Sequence, residues 1–264
     1  MLSESLIAKA ILKKNKNKKS NIIIKRITNS TNDDAKKILL STQNELTFIF
    51  AEQQKSGRGQ RKRKWVSPLG KNIYLSVAWK SRINVDKLDG LSLAIGVIII
   101  RALKEISVNG LKIKWPNDIY FENKKLAGIL IETSLSKKNN LNIVIGIGIN
   151  VNMTLKEGKT IDQEWTSIKN IKNKKIERNT IASNLINHLI NLIDSFPNQG
   201  FSSYLEEFNS LNYFHKKNCM ALLSDGSVIK GKASKVNSLG ELIFVSKDKT
   251  YTLRSGEVTI RDIN

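Results

Sequence analysis

Short apolar stretches punctuate the chain, and their spacing changes along its length. IIIKRI (22–27) predicts a short strand, and LTFIFA (46–51) has the length of a buried one. NIYLSVAWK (72–80) partly alternates and predicts a third. LSLAIGVIIIRALKEI (91–106) is long enough for a buried helix. Three closely spaced strands are expected next, at LKIKW (111–115), LAGILIET (126–133) and NIVIGIGINV (142–151).

Between these runs, Asn32 to Ser41 predicts a helix with Ser30 or Thr31 near its N-cap. Ile181, Leu185, Leu189 and Leu192 share one face of a helix expected over 180–195, with Asn179 as its cap. A second short helix is expected over 201–211. Residues 154–178 are polar and poorly patterned around a single Trp165. From Glu52 to Lys71 apolar residues are nearly absent, which predicts a long loop, and long loops in compact domains are usually functional.

Beyond Lys216 the texture shifts to short strands (CMALL, SVIKGKA, ELIFV, TYTLR, VTI) separated by turn residues. That pattern predicts a small β-barrel, with a boundary near 215. The expected division is a basic N-terminal extension (1–20), a large domain (21–215) and a small β domain (216–264).

Composition narrows the classes. The 264 residues suit one large domain plus a small one, since a domain takes roughly 150. No apolar run reaches the ~18 residues that span a bilayer. The first lysines follow the short apolar start, whereas a signal peptide places them before it. One cysteine, Cys219, excludes an internal disulfide framework and suits a reducing cytoplasm. The net charge of +21 comes from 44 basic and 23 acidic residues. Its lysines travel with asparagine and isoleucine, as in KKNKNKK (13–19) and KNIKNKK (169–175), which is a compositional bias of the solvated surface. Function has to be argued from a site.

Four segments carry candidate chemistry. Gly57 to Trp65, GRGQRKRKW, packs three arginines and two lysines beside two glycines. Arginine forks match phosphate oxygens and glycines admit close backbone approach, yet a solvated basic loop has the same composition. The Walker spacing is absent. Lys114-Trp115-Pro116-Asn117-Asp118 ends a strand in a good turn sequence, so Asn117 and Asp118 are site candidates or plain turn residues. Lys124-Lys125-Leu126-Ala127-Gly128 puts a lysine before an apolar strand with a glycine in it. Gly146-Ile147-Gly148-Ile149-Asn150 leaves one strand face bare, for a ligand or for packing against the long helix.

Taken together, GRGxRxRxW, KWPND, KKLAGIL and GIGIN, with Ser-Thr-Asn upstream, resemble the biotin protein ligases (biotin–[acetyl-CoA-carboxylase] ligases) over about 27–264. The resemblance implies an α+β fold of the class II synthetase-like type. Its sheet is mixed and largely antiparallel with helices on one face, and an SH3-like barrel follows. The implied activity makes biotinyl-5′-AMP from biotin and Mg-ATP, then transfers biotin to a lysine of a biotin carboxyl carrier protein.

Residue by residue, the resemblance places Ser30, Thr31, Asn32 and Gln54 on the ureido ring of biotin, and Gly128 and Gly146 along its side chain. Arg58, Gly59 and Gln60 would contact biotin from the basic loop. Arg58, Arg61, Arg63, Trp65, Asn117, Asp118, Asn150 and Trp165 fall to the nucleotide. Lys125 would bridge the biotin carboxylate and the α-phosphate, with Arg58, Arg61 and Asp118 beside it in catalysis. Asp118 would hold Mg²⁺ through water.

Many relatives read Gly-Arg-Gly-Arg where this chain has Gln60, and often a glycine where it has Lys62. About 20 residues precede the first strand, too few for the winged helix of the family's bifunctional members, so the expectation is a monofunctional ligase without sequence-specific DNA or membrane binding. A homodimer is left open. Lipoate–protein ligases share the core and the adenylation logic, but their Arg-Arg-x-x-Gly-Gly-Gly signature is absent. A nucleic-acid module would interleave aromatic residues with the basic runs at 13–19 and 169–175, and these contain none.

Overall fold

The computed structural model describes residues 1–10, 20–41, 44–136, 141–247 and 249–263, so the KKNKNKK run lies outside the described residues. The larger sheet contains β1 (Ser20–Lys25), β2 (Leu46–Ala51), β3 (Ile73–Ser81), β4 (Leu111–Lys114), β5 (Asp118–Phe121), β6 (Lys124–Leu135) and β7 (Leu141–Ile149). Their spatial order is β1-β2-β3-β7-β6-β5-β4. β1 and β2 run parallel, and the other described pairs are antiparallel. Every residue of β2 is buried, as its unbroken apolar run requires of an inner strand.

Six helices accompany the strands among the described residues: α1 (Glu4–Ala10), α2 (Thr31–Ser41), α3 (Leu91–Lys104), α4 (Ile168–Lys172), α5 (Arg178–Gln199) and α6 (Leu205–Leu211). Side chains alternate across a strand, and β7 uses both faces. Ile143, Ile145, Ile147 and Ile149 join the main core with α3, α5 and α6. Val144 faces the other way, where Ile49 and Ala78 pack on Ala35 and Leu39 of α2. The helix layer thus covers one face, while α2 covers part of the opposite face, reaching Gly146 through Asn32 in its first turn and leaving Gly148 to Trp65.

A second, antiparallel sheet follows, built from β8 (Asn218–Leu223), β9 (Val228–Val236), β10 (Leu242–Ser246), β11 (Lys249–Leu253) and β12 (Val258–Asp262), in the order β11-β10-β9-β8-β12. It is tied to the larger sheet at the KWPND turn, where Trp115 Nε1 donates to Gly240 O at 2.9 Å. The Tyr213 hydroxyl adds a second tie, to Asp262 Oδ2 at 2.7 Å.

Local expectations differ from the structure at three places. Asp118–Phe121 forms a strand of four residues where the sequence showed only a turn, because its pairing comes from Lys114 on one side and Gly128 on the other. The long helix begins at Arg178, and Glu177 caps it by accepting the Asn179 N–H. Asn179 instead accepts Ser3 N–H at 2.8 Å. The 201–211 segment divides into a 3₁₀ turn, Phe201–Tyr204, and α6.

The described part of the N-terminal segment is packed down. Leu2 and Ile7 are buried. Leu2 N–H donates to Glu52 Oε1 at 2.5 Å, and Glu52 Oε2 accepts Arg178 Nη2 at 2.7 Å. Arg178 Nη1 also donates to Asn72 O at 3.1 Å. Among the described residues, no helix is long and apolar enough to cross a membrane.

Candidate active site

The bare strand face predicted at Gly146 and Gly148 is the floor of a cavity on the α2 side of the sheet. The cavity is open to solvent and lined by apolar floor residues with a few convergent polar and charged groups, the setting of a small-molecule site. β6 completes the floor, because Gly128 pairs directly with Gly148. The floor is covered by site residues and not by α3, the helix predicted at 91–106. A Cβ on Gly146 would lie 2.4 Å from Asn32 Oδ1, and one on Gly148 would lie 2.5 Å from the Trp65 indole. Gly148→Ala therefore has to displace Trp65. We expect it to cost about 1–3 kcal/mol of stability through overpacking and to impair ligand binding as well. Thermal unfolding together with a ligand-binding titration checks this, and unchanged binding would remove Trp65 from the site.

A polar cluster closes the Gly146 end. Gln54 Oε1 accepts Thr31 N–H at 2.9 Å and lies 3.0 Å from the Thr31 hydroxyl. Gln54 Nε2 donates to Ser67 Oγ at 3.2 Å, so the amide orientation is fixed from both ends. Ser76 Oγ lies 2.7 Å from Thr31 Oγ1 and 2.6 Å from Asn32 Oδ1, and its one proton serves one of them. Asn32 Nδ2 donates to Glu132 Oε2 at 2.7 Å. Ser30, Thr31 and Asn32 are buried. Apart from the Glu132 carboxylate behind Asn32, this is a rigid set of neutral donors and acceptors, matched to a neutral polar ring.

The Gly148 end carries charge. Lys125 Nζ lies 2.8 Å from Asp118 Oδ2 and 5.6 Å from the centre of the Trp65 ring. Two polar atoms at this end, Trp65 Nε1 and Asp118 Oδ1, are buried without a hydrogen-bond partner. Buried polar groups are nearly always paired, so an unpaired donor and an unpaired acceptor at one end of the cavity mark a place for a polar ligand. The Lys125 main chain is held in a short ladder: its N–H donates to Glu164 O at 3.0 Å, and its carbonyl accepts Thr166 N–H at 2.9 Å. Asn117 is fixed to β6, donating through Nδ2 to Ile129 O at 2.9 Å.

The basic loop forms the remaining wall. Arg58, Gly59, Gln60 and Arg63 line the cavity. Arg58 also grips Asp33, through Nη1 to Oδ2 at 2.8 Å and Nη2 to Oδ1 at 2.5 Å. That guanidinium holds the Asp33 carboxyl below the usual carboxylate range, against the opposing effect of burial. Three residues expected in the site lie outside this cavity. Arg61 has φ 54° and sends Nη1 to Thr259 Oγ1 at 2.5 Å, on the second sheet. Asn150 is buried and donates to Thr166 O at 3.1 Å. It lines a smaller adjoining cavity with Trp165, and the two cavities share Trp65, Lys125 and Gln163.

Ser67, Ser76, Asp33, Glu132 and Gln163 were not singled out from the sequence. The strand alternation carrying Gly146 could have found Ser76, which is its register partner on β3. The other four have no local signal. Among the described residues, no group of three or more His, Cys, Asp or Glu side chains could hold a metal ion alone.

Residues 23–150 match the model of the biotin/lipoate A/B protein ligase family. The chain is 32% identical over 212 residues to the bifunctional ligase/repressor BirA of Escherichia coli, covering 80% of this chain and 65% of that protein. It is 27% identical over 216 residues to the biotin–[acetyl-CoA-carboxylase] ligase of Mycobacterium tuberculosis, covering 80% of this chain and 77% of that one. Among solved structures, the biotin protein ligase from Aquifex aeolicus in complex with biotin and ATP superposes with a TM-score of 0.77 at 26% identity, over 92% of this chain and 99% of that one. The chain thus spans just under two thirds of the length of the Escherichia coli relative.

Proposed function

The chain belongs to the biotin/lipoate A/B protein ligase family, and from that premise we propose that it activates biotin with ATP and passes the biotinyl group to a lysine of a biotin carboxyl carrier domain. In the first step a biotin carboxylate oxygen bonds to the α-phosphorus while the bond to the β-phosphate bridge breaks. Biotinyl-5′-AMP and pyrophosphate result. In the second step the carrier's neutral lysine amine attacks the acyl carbon, AMP leaves and the amine proton passes to water.

One observation carries this reading: a glycine-floored channel joins a neutral polar cluster to an ammonium in the same cavity. The cluster of Ser30, Thr31, Asn32 and Gln54 suits the ureido ring, with Gly146 and Gly128 beneath the aliphatic chain. Lys125 then stands where carboxylate and α-phosphate meet, and its charge offsets the repulsion between two anions. Arg58 and Arg63 face the phosphate, and Trp65 covers the junction. Asn150 and Trp165 serve the nucleotide through the adjoining cavity. Residues 21–215 act as the catalytic domain and 216–264 as the C-terminal domain, in the cytoplasm.

Asp118 fits a role toward Mg²⁺, because Oδ1 is a buried acceptor without a partner. One carboxylate is enough for an ion that keeps several waters and binds mainly to phosphate oxygens. The ion supplies charge screening on the nucleotide when bound.

The test is to mix pure protein with biotin, α-labelled ATP and Mg²⁺, with lipoate in parallel. Biotin-dependent labelled adenylate is the expected product. Its absence, or a preference for lipoate, overturns the proposal.

Retention of the adenylate follows from the basic loop. Gln60 lines the cavity without charge, and Arg61 is directed to Thr259. A charge-assisted hydrogen bond contributes about 1.5–3 kcal/mol against roughly 0.5–1.5 for a neutral one. Gln60→Arg is therefore expected to slow adenylate release by up to about tenfold, measured by chasing pre-formed labelled adenylate with excess biotin. Release at the same or a faster rate would place Gln60 off the phosphate.

A further inference from the structure

Arg58 lines the cavity on one side and is gripped by Asp33 on the other. The grip is a two-bond fork, the geometry that fixes a guanidinium plane as well as its position. Arg58 and Asp33 side chains remain 33% and 40% exposed, and an ion pair that exposed adds little to folding stability. Its effect is therefore sought in geometry.

Asp33 stands on fixed ground. It is the third residue of α2, directly after Thr31 and Asn32, which are tied to Gln54, Ser76 and Glu132. Arg58 sits in an exposed loop, where an antiparallel bridge to Lys64 places its backbone but not its long side chain. No residue of 58–64 is buried. Backbone bonds narrow the neck of the loop, Gly59 N–H to Arg63 O at 2.7 Å and Trp65 N–H to Gly57 O at 2.9 Å. Among the described residues, the side-chain tethers are Arg58 to Asp33 within the neck and Arg61 to Thr259 beyond it. The fork to Asp33 uses two of the five guanidinium N–H donors, which leaves three for a ligand. Arg58 lines the cavity while paired, so the pair does not have to break for Arg58 to serve it.

We propose that Asp33 is a positioning residue, which sets the Arg58 guanidinium against the phosphate of the bound adenylate and so governs how long the adenylate is held. This rests on the reading of the cavity as a biotinyl-5′-AMP site. The opposite role, a rival anion that Arg58 must leave, predicts the opposite sign.

The experiment follows dissociation of added, labelled biotinyl-5′-AMP from the full chain, so it does not depend on any variant forming the adenylate. Asp33→Asn, nearly isosteric and uncharged, should release it about tenfold faster, the scale of one lost charge-assisted contact. Asp33→Glu should restore part of the lifetime. Biotin affinity without nucleotide should stay unchanged, because the ureido contacts remain. In an Arg58→Ala background, Asp33→Asn should add nothing. Asp33→Ser carries the same expectations should the asparagine variant fold poorly. An unchanged or longer lifetime in the Arg58-bearing variants, or an equal effect without Arg58, overturns the proposal. Failure of the unsubstituted chain to bind the adenylate would instead overturn the reading of the cavity itself.

Discussion

Lys125→Ala is expected to lower the rate of adenylate formation by about 10²–10³-fold, the usual consequence of deleting one preorganised charge from a water-poor site. The Lys125 and Asp118 side chains are only 14% and 20% exposed, so the ammonium acts with little solvent screening. Lys124→Ala is the matched control. Lys124 is exposed on the neighbouring position of β6, and its side chain points to the opposite face. Removing Lys125 also leaves Asp118 without its cation, beside incoming phosphates. Lys125→Ala with Asp118→Asn separates the two effects: if loss of the ammonium is the cause, the double variant stays slow. Single-turnover formation of labelled adenylate gives the answer, and a normal rate in Lys125→Ala would sink the assignment.

The largest stability effect is expected at a buried ion pair outside the cavity. Glu52 and Arg178 form a pair whose side chains are 2% and 7% exposed. Arg178→Met keeps the length of the stem but strands the Glu52 carboxylate, which then has, among the described residues, the Leu2 N–H at 2.5 Å as its remaining hydrogen bond. Breaking a buried pair in this way costs about 3–5 kcal/mol. For a chain of this size that corresponds to a fall of roughly 6–20 °C in melting temperature. Glu52→Gln combined with Arg178→Met should recover much of the loss, because no buried charge is then stranded. A single-variant melting temperature unchanged from the parent would show that the pair is dispensable.

What the sequence made legible was local. The apolar runs fixed β2, β7 and α3 to within a few residues, because length and periodicity decide such elements without help from the rest of the chain. The glycines of β7 and the lysine before Leu126 were visible for the same reason. Arg61 illustrates a limit. Its type and spacing suit a phosphate ligand, but a left-handed backbone at that residue sends the guanidinium to the second sheet. Ser76 and Glu132 show another. Each reaches the Asn32 end of the cavity through strand register, from positions 44 and 100 residues away in the chain. Asn179 was a good cap by type, yet Glu177 took that place and Asn179 secured the N-terminal segment instead. In each of these, a partner distant in sequence decides the outcome.

The short ladder at Lys125 makes its steadiness a shared property. Its N–H and carbonyl are bonded to Glu164 and Thr166, in the segment whose Trp165 lines the second cavity. Both bonds join the lysine to the 164–166 segment, so the order of one bears on the order of the other. A ligand that quiets the segment also quiets the lysine, and thermodynamic linkage makes the influence mutual. Whatever factor occupancy of one cavity adds to affinity in the other must return in equal measure. Two substrates can thereby favour each other beyond the direct contact they make at Lys125, and the chain is biased toward holding both at once.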